Sequence, residues 1–119
     1  MNICYYAICY AFLTSIFIIL FIKKLSFLDT PIDVGVLKGS KLTLWSITHF
    51  ITFFIIGKLC PNNYVFFFLL GVCWEIFETI YGKYKNDIKY WTGNGIDGQI
   101  NDIVMNTLGY HFSHIININ

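Results

Sequence analysis

A histidine, two glutamates and two aspartates stand in this chain where a lipid-soluble sequence should carry no charge. His49 lies in the middle of LTLWSITHFITFFIIGKL, Leu42 to Leu59. Glu75 and Glu78 lie in the second half of YVFFFLLGVCWEIFETIY, Tyr64 to Tyr81. Asp97, Gln99, Asp102 and Asn106 follow one another in DGQINDIVMNTLG. An imidazole and carboxylates that share a site can hold a divalent cation through nitrogen and oxygen. Such an ion can stabilise charge on a phosphate or activate water. Without an ion, a histidine–carboxylate pair can act as a general base. The candidate catalytic residues are therefore His49, Glu75, Glu78, Asp102 and Asn106. The candidate ligands of a divalent cation are His49, Glu75, Glu78 and Asp102, and Asp97 and Gln99 are candidate substrate-binding groups.

Whether these groups meet depends on the faces they occupy. At 100° per residue with Asp102 at zero, Asn106 falls at about +40°, Gly109 at about −20°, Ser113 at about +20° and Gln99 near +60°. They make one polar stripe, while Ile103, Val104, Leu108, Phe112 and Ile115 point elsewhere. His111 and His114 fall off the stripe. Asp97, after Gly93 and Gly95, is placed as an N-cap. Glu75 and Glu78 share a face three residues apart, with Gly71, Thr79 and Gly82, small residues that let another helix come close. Ser46 and Thr52 flank His49 on its own face. Turning all three stripes inward gathers His49, Glu75, Glu78, Asp102 and Asn106, with Asp97 at the rim.

Hydrogen-bonded glue between helices, worth about 0.6 kcal/mol per contact, accounts well for Gln99 and Asn106. It accounts less well for Glu75, Glu78 and Asp102. Packed carboxylates repel, and at least one must hold a proton or need a cation.

The elements that carry these residues look membrane-bound. The chain has 119 residues, 56% hydrophobic and only 13% charged, against about 25% charged in a soluble domain. Mean hydropathy is +0.62. A single soluble domain of this length could not bury so much apolar surface. The first run, ICYYAICYAFLTSIFIILFI, is long enough as a helix to cross a hydrocarbon layer of about 30 Å. Lys23 and Lys24 follow it and no charge precedes it, which favours a retained span over a cleaved signal peptide. The expected fold is all-α, a single polytopic membrane bundle of four transmembrane helices with short loops. The spans are approximately 3–22, 42–59, 64–81 and 97–118.

All eight basic residues are lysines. Lys23, Lys24, Lys38 and Lys41 lie in the first connection and Lys83, Lys85 and Lys89 in the third; only Lys58 lies near the second. By the positive-inside rule, alternating loops put the lysine-rich connections in the cytoplasm and both termini outside. Tyr5, Tyr6, Trp45, Tyr64, Tyr81, Tyr90 and Trp91 fit interfacial anchors or plain lipid-facing bulk. The cysteines, Cys4, Cys9, Cys60 and Cys73, make no zinc spacing; Cys4 and Cys60 could meet on one membrane face and pair. No basic run or stacking platform points to nucleic acid, so membrane lipids are the expected partners, with a lipid-linked or amphipathic small molecule as a further one.

WEIFET followed by DGQINDIVMNTLG resembles the VanZ-like group of small membrane proteins, including its YjdF-type branch. The matching residues are His49, Glu75, Glu78, Asp97, Asp102, Asn106 and Gly109, spanning Leu42 to Gly109. The resemblance implies a membrane fold and a polar intramembrane site, and no particular reaction. An arginine common before the last helix of that group has no counterpart here, so its role does not carry over.

The expectation is an integral membrane protein of unassigned biochemical activity with this polar cluster as its site. The alternative is a membrane enzyme acting on a lipid-linked or amphipathic substrate through carboxylates, with or without a divalent metal. It would be of a new kind, since neither the DxxDGxxAR run of CDP-alcohol phosphotransferases nor the PSGH run of lipid phosphatases is present. A proton- or ion-handling protein, which four helices would need to oligomerise to become, and a membrane scaffold are the remaining alternatives.

Overall fold

A computed structural model describes residues 3–21, 42–86 and 96–116. The first and third connections lie outside the described residues. With them go Pro31, Gly35, Gly39, Gly93, Gly95, Lys23, Lys24, Lys38, Lys41, Lys89, Tyr90 and Trp91. The side chain of Asp97 is likewise outside them. The described residues form four α-helices and no strand: α1 (Ile3–Leu20), α2 (Leu44–Leu59), α3 (Tyr64–Tyr84) and α4 (Ile96–Ile115). The fold is therefore all-α, with each helix inside one of the expected apolar segments or within a turn of its ends. α4 already includes Ile96, so Asp97 falls in the first turn rather than at the cap.

The helices alternate in direction. The Cys4–Cys60 disulfide fixes the start of α1 beside the end of α2. The CPNN turn reverses the chain into α3, with Asn62 in the left-handed region at φ 68°. Asparagine tolerates that conformation better than most residues. Tyr64 at the start of α3 meets Thr107 late in α4, hydroxyl to hydroxyl at 3.3 Å, whereas Glu75 late in α3 meets Gln99 early in α4. α2 and α4 thus run parallel to each other, and α1 and α3 run the opposite way. One end of the bundle holds the α2–α3 turn and the other emits both lysine-bearing connections.

α2 and α4 make the most intimate contact, and two glycines explain how. A Cβ on Gly57 would collide with the Ser113 hydroxyl and lie 2.8 Å from the Tyr110 carbonyl oxygen; one on Gly109 would collide with the Phe50 carbonyl. Both are positions where the two backbones touch, an approach that only small residues allow. Beyond this crossing, Tyr110 is 1% exposed. Its hydroxyl donates to the Cys60 carbonyl at 2.6 Å and accepts from the Asn63 N–H at 2.8 Å. Lys58 donates to the carbonyl of Ile116. The turn, the disulfide and the end of α4 form one braced corner.

The polarity of the bundle is inverted relative to a soluble domain. Buried apolar residues are few: Ala7, Phe53, Ile56, Cys60, Phe67 and Tyr110. Ser46, Glu75, Glu78, Asn106 and Ser113 are buried with them. Phe12, Leu13, Val65, Leu69, Ile80 and Leu108 are all more than half exposed. Helix hydroxyls are satisfied locally, as apolar surroundings require: Ser15, Thr79 and Thr107 each donate to the carbonyl four residues back. Among the described residues, α3 is the helix long and apolar enough to cross a membrane by length and composition; α2 and the apolar part of α1 are shorter. α4 misses because its polar stripe dilutes it.

Two outcomes are expected. Gly109→Ala should destabilise the detergent-solubilised protein by about 1–3 kcal/mol through backbone overpacking, while Leu108→Ala, at an exposed position, should not. Thermal unfolding of the two variants checks this, and equal midpoints would count against the glycine crossing. Alkylation of the denatured, unreduced chain should label Cys9 and Cys73, the free cysteines, and leave Cys4 and Cys60 unmodified until reductant is added.

Candidate metal centre

The close passage of Gly109 over Phe50 sets the site, because the residue before Phe50 is His49 and one turn before Gly109 is Asn106. The His49 Nδ1 lies 2.9 Å from the Asn106 Oδ1. An amide oxygen can only accept, so Nδ1 is the protonated nitrogen. In the neutral ring, Nε2 then carries the lone pair, and it faces the Asp102 Oδ2 at 3.4 Å. A cation placed between these two atoms would be held by both.

Glu75 supplies the third group. One ligand atom each from His49, Glu75 and Asp102 lie within 4.8 Å of one another. The Glu75 residue is 5% exposed, while the side chains of His49 and Asp102 are 15% and 21% exposed. Glu75 is therefore the most enclosed of the three groups. Gly71, one turn before Glu75, makes room: a Cβ there would sit 2.8 Å from the Asn106 Nδ2 and 3.2 Å from the Phe53 ring. Asn106 is thus wedged between α2 and α3, 3% exposed, and its orientation fixes the histidine tautomer.

The remaining sequence candidates have other placements. Gln99 donates to the Glu75 carbonyl at 3.0 Å and to the Thr79 hydroxyl at 2.6 Å, so its amide ties α4 to α3. Glu78 is buried one turn beyond Glu75 and is not in the three-residue group that can share an ion. Ser46, three residues before His49 in α2, is buried and accepts from the Thr43 N–H at 3.2 Å, serving the start of the helix. His111 and His114 are exposed and lie off the centre, against Tyr64 and Tyr110. Tyr110 and Gly57 were not singled out from the sequence. An aromatic in a chain this apolar reads as bulk, although Tyr110 sits only about 80° from Asp102 on the helical wheel.

Chemically, one imidazole and two carboxylates suit a borderline or hard divalent ion such as zinc or manganese. A tetrahedron with bonds of about 2.0–2.1 Å has edges of about 3.4 Å, which is the His49–Asp102 separation. Three protein ligands leave a position open, as catalytic centres do. Asn106 then plays the part of the group that orients a ligating histidine through its other nitrogen. Compared with family models, with curated proteins and with solved structures, the chain matches none.

The tautomer is directly measurable. Nitrogen-15 NMR of the histidine side chains in metal-free protein should show His49 protonated on Nδ1, and Asn106→Leu should abolish that preference. A dominant Nε2–H tautomer in the wild type would contradict the arrangement.

Proposed function

We propose that this chain is a multi-pass integral membrane protein of the VanZ-like kind whose His49–Glu75–Asp102 centre binds a divalent cation. The observation that carries the reading is the convergence of three ionisable groups from three helices, one ligand atom of each within 4.8 Å of the others. A charged group within a span costs roughly 2.5–3.5 kcal/mol on insertion scales. Interhelical glue does not require that cost, since serine, threonine and asparagine supply it more cheaply. His49, Glu75, Asp102, Asn106 and Gly109 are also among the residues on which the VanZ-like resemblance rests, with Glu78 and Asp97.

The inverted polarity supports the membrane placement. Apolar residues exposed on every helix would have no water-compatible explanation at this density, and lipid gives them one. The alternating helix directions support both termini and the α2–α3 turn on one side, with the lysine-bearing connections on the other. The Cys4–Cys60 disulfide belongs to the first of these sides, and disulfides persist where the compartment is oxidising. Lysine bias and disulfide position thus favour the same orientation independently, with the lysines cytoplasmic.

With an ion held by three side chains and one position open, the activity that fits best is metal-assisted binding or chemistry on an amphipathic substrate. The ion would supply Lewis acidity to an oxygen of that substrate. The chain's own residues place it: Asn106 orients His49, Gly109 and Gly71 permit the approach, and Glu75 is the most enclosed of the three groups. Protein purified in detergent without chelator should retain close to one divalent ion per chain by elemental analysis. Asp102→Asn should lose it while keeping its helical content. Wild type without retained or restorable metal would sink the reading.

A further inference from the structure

Two of the three helices at the centre are fixed to each other by backbone contact. Phe50 of α2 lies against Gly109 of α4, close to His49 and Asp102. α3 meets them through side chains: at Gly71 it faces the Asn106 amide and the Phe53 ring. It brings Glu75 to the centre and carries a second buried carboxylate, Glu78, three residues on. The two positions differ by about 4.5 Å along the helix and about 60° around it. A slide of α3 by less than one turn, with a small rotation, would offer Glu78 to the cation in place of Glu75.

Hydrogen bonds from α4 set the height of α3 at two levels. Near the α2–α3 turn, the hydroxyls of Tyr64 and Thr107 meet at 3.3 Å. Tyr64 lies about 16 Å along α3 from Glu75, so it steadies the helix without holding the carboxylate. The nearer hold is Gln99. Its Nε2 donates to the Glu75 carbonyl at 3.0 Å and to the Thr79 hydroxyl at 2.6 Å. The Thr79 hydroxyl in turn donates to the same carbonyl at 3.1 Å. These groups close a ring of hydrogen bonds on the backbone of the ligating residue itself. Both N–H donors of Gln99 are engaged on α3, which leaves neither for a substrate.

Gln99 and Asn106 stand on either side of Asp102 along one stripe of α4. Asn106 reaches α2 and orients His49; Gln99 reaches α3 and holds Glu75. Groups that orient ligands govern metal affinity along with the ligands themselves. Building on the cation-centre reading, we propose that Gln99 and Thr79 are positioning residues of that centre. They pin α3 at the height that gives the ion Glu75 and not Glu78.

The test uses the full chain in maltoside micelles with cobalt(II) as the probe, because its visible absorption depends on the number and arrangement of its ligands. Glu75→Gln should change the spectrum of the cobalt-loaded protein and Glu78→Gln should not. Thr79→Val keeps the shape of threonine and removes its hydroxyl, whereas Thr79→Ser keeps the hydroxyl. Thr79→Val and Gln99→Leu should each shift the spectrum toward that of Glu75→Gln. Both should weaken cobalt binding by about 10- to 100-fold, the usual effect of removing a group that holds a ligand. Thr79→Ser should alter neither property. Circular dichroism checks that the variants remain helical, and the Thr79 pair decides the outcome if Gln99→Leu does not fold. A lowered thermal midpoint with unchanged cobalt spectrum and affinity would show interhelical glue only, overturning the inference and leaving the cation centre standing. Equal effects of Glu78→Gln and Glu75→Gln would overturn the selection of Glu75. A wild type that binds no cobalt overturns the cation centre, and this inference with it.

Discussion

The backbone of α2 can touch the backbone of α4 because residues 57 and 109 have no side chain, and the rest of the structure depends most on the touch at residue 109. Phe50 and Gly109 meet carbonyl to Cα, and their position in each helix fixes which side chains face each other on either side of them. Toward one end this brings His49 to Asn106 and Asp102. Toward the other it brings Gly57 to Ser113 and lets Tyr110 reach the turn. A single close crossing thus sets the register of both the polar centre and the apolar plug. Close approach at small residues adds van der Waals contact along the whole crossing.

The second constraint is polarity. Among the described residues, Glu75, Glu78 and Asn106 are buried while many large apolar residues are exposed. Burying charge is unfavourable unless it is paired, hydrogen-bonded or bound to metal. Removing one member of such a cluster therefore disturbs the others more than the count of lost contacts suggests. Asn106 illustrates this: it touches α3 at Gly71 and holds the His49 ring on α2, so it couples the walls of the centre as well as orienting a ligand.

Much of this arrangement is legible in the sequence, and what is not has a physical reason. Helical angle alone puts Asp102, Asn106, Gly109 and Ser113 on one stripe, and the structure buries Asn106, Gly109 and Ser113 on that face. Angle says nothing about how far one helix slides along another. The choice of Glu75 over Glu78 as the nearer partner and the pairing of Gln99 with Thr79 therefore depend on a register that angle does not give. Cys4 and Cys60 could be seen to share an end of the bundle. That they pair follows only from the reversal at Asn62 and the bracing by Tyr110.

The central claim is that three helices converge on one cation position. X-ray absorption at the zinc edge of zinc-loaded protein reads the ligand set directly. One imidazole nitrogen with oxygen donors at about 2.0–2.2 Å, changing in both Glu75→Gln and Asp102→Asn, is the predicted result. A spectrum requiring two imidazoles, unaffected by either substitution, would place the metal on His111 and His114 and contradict the account.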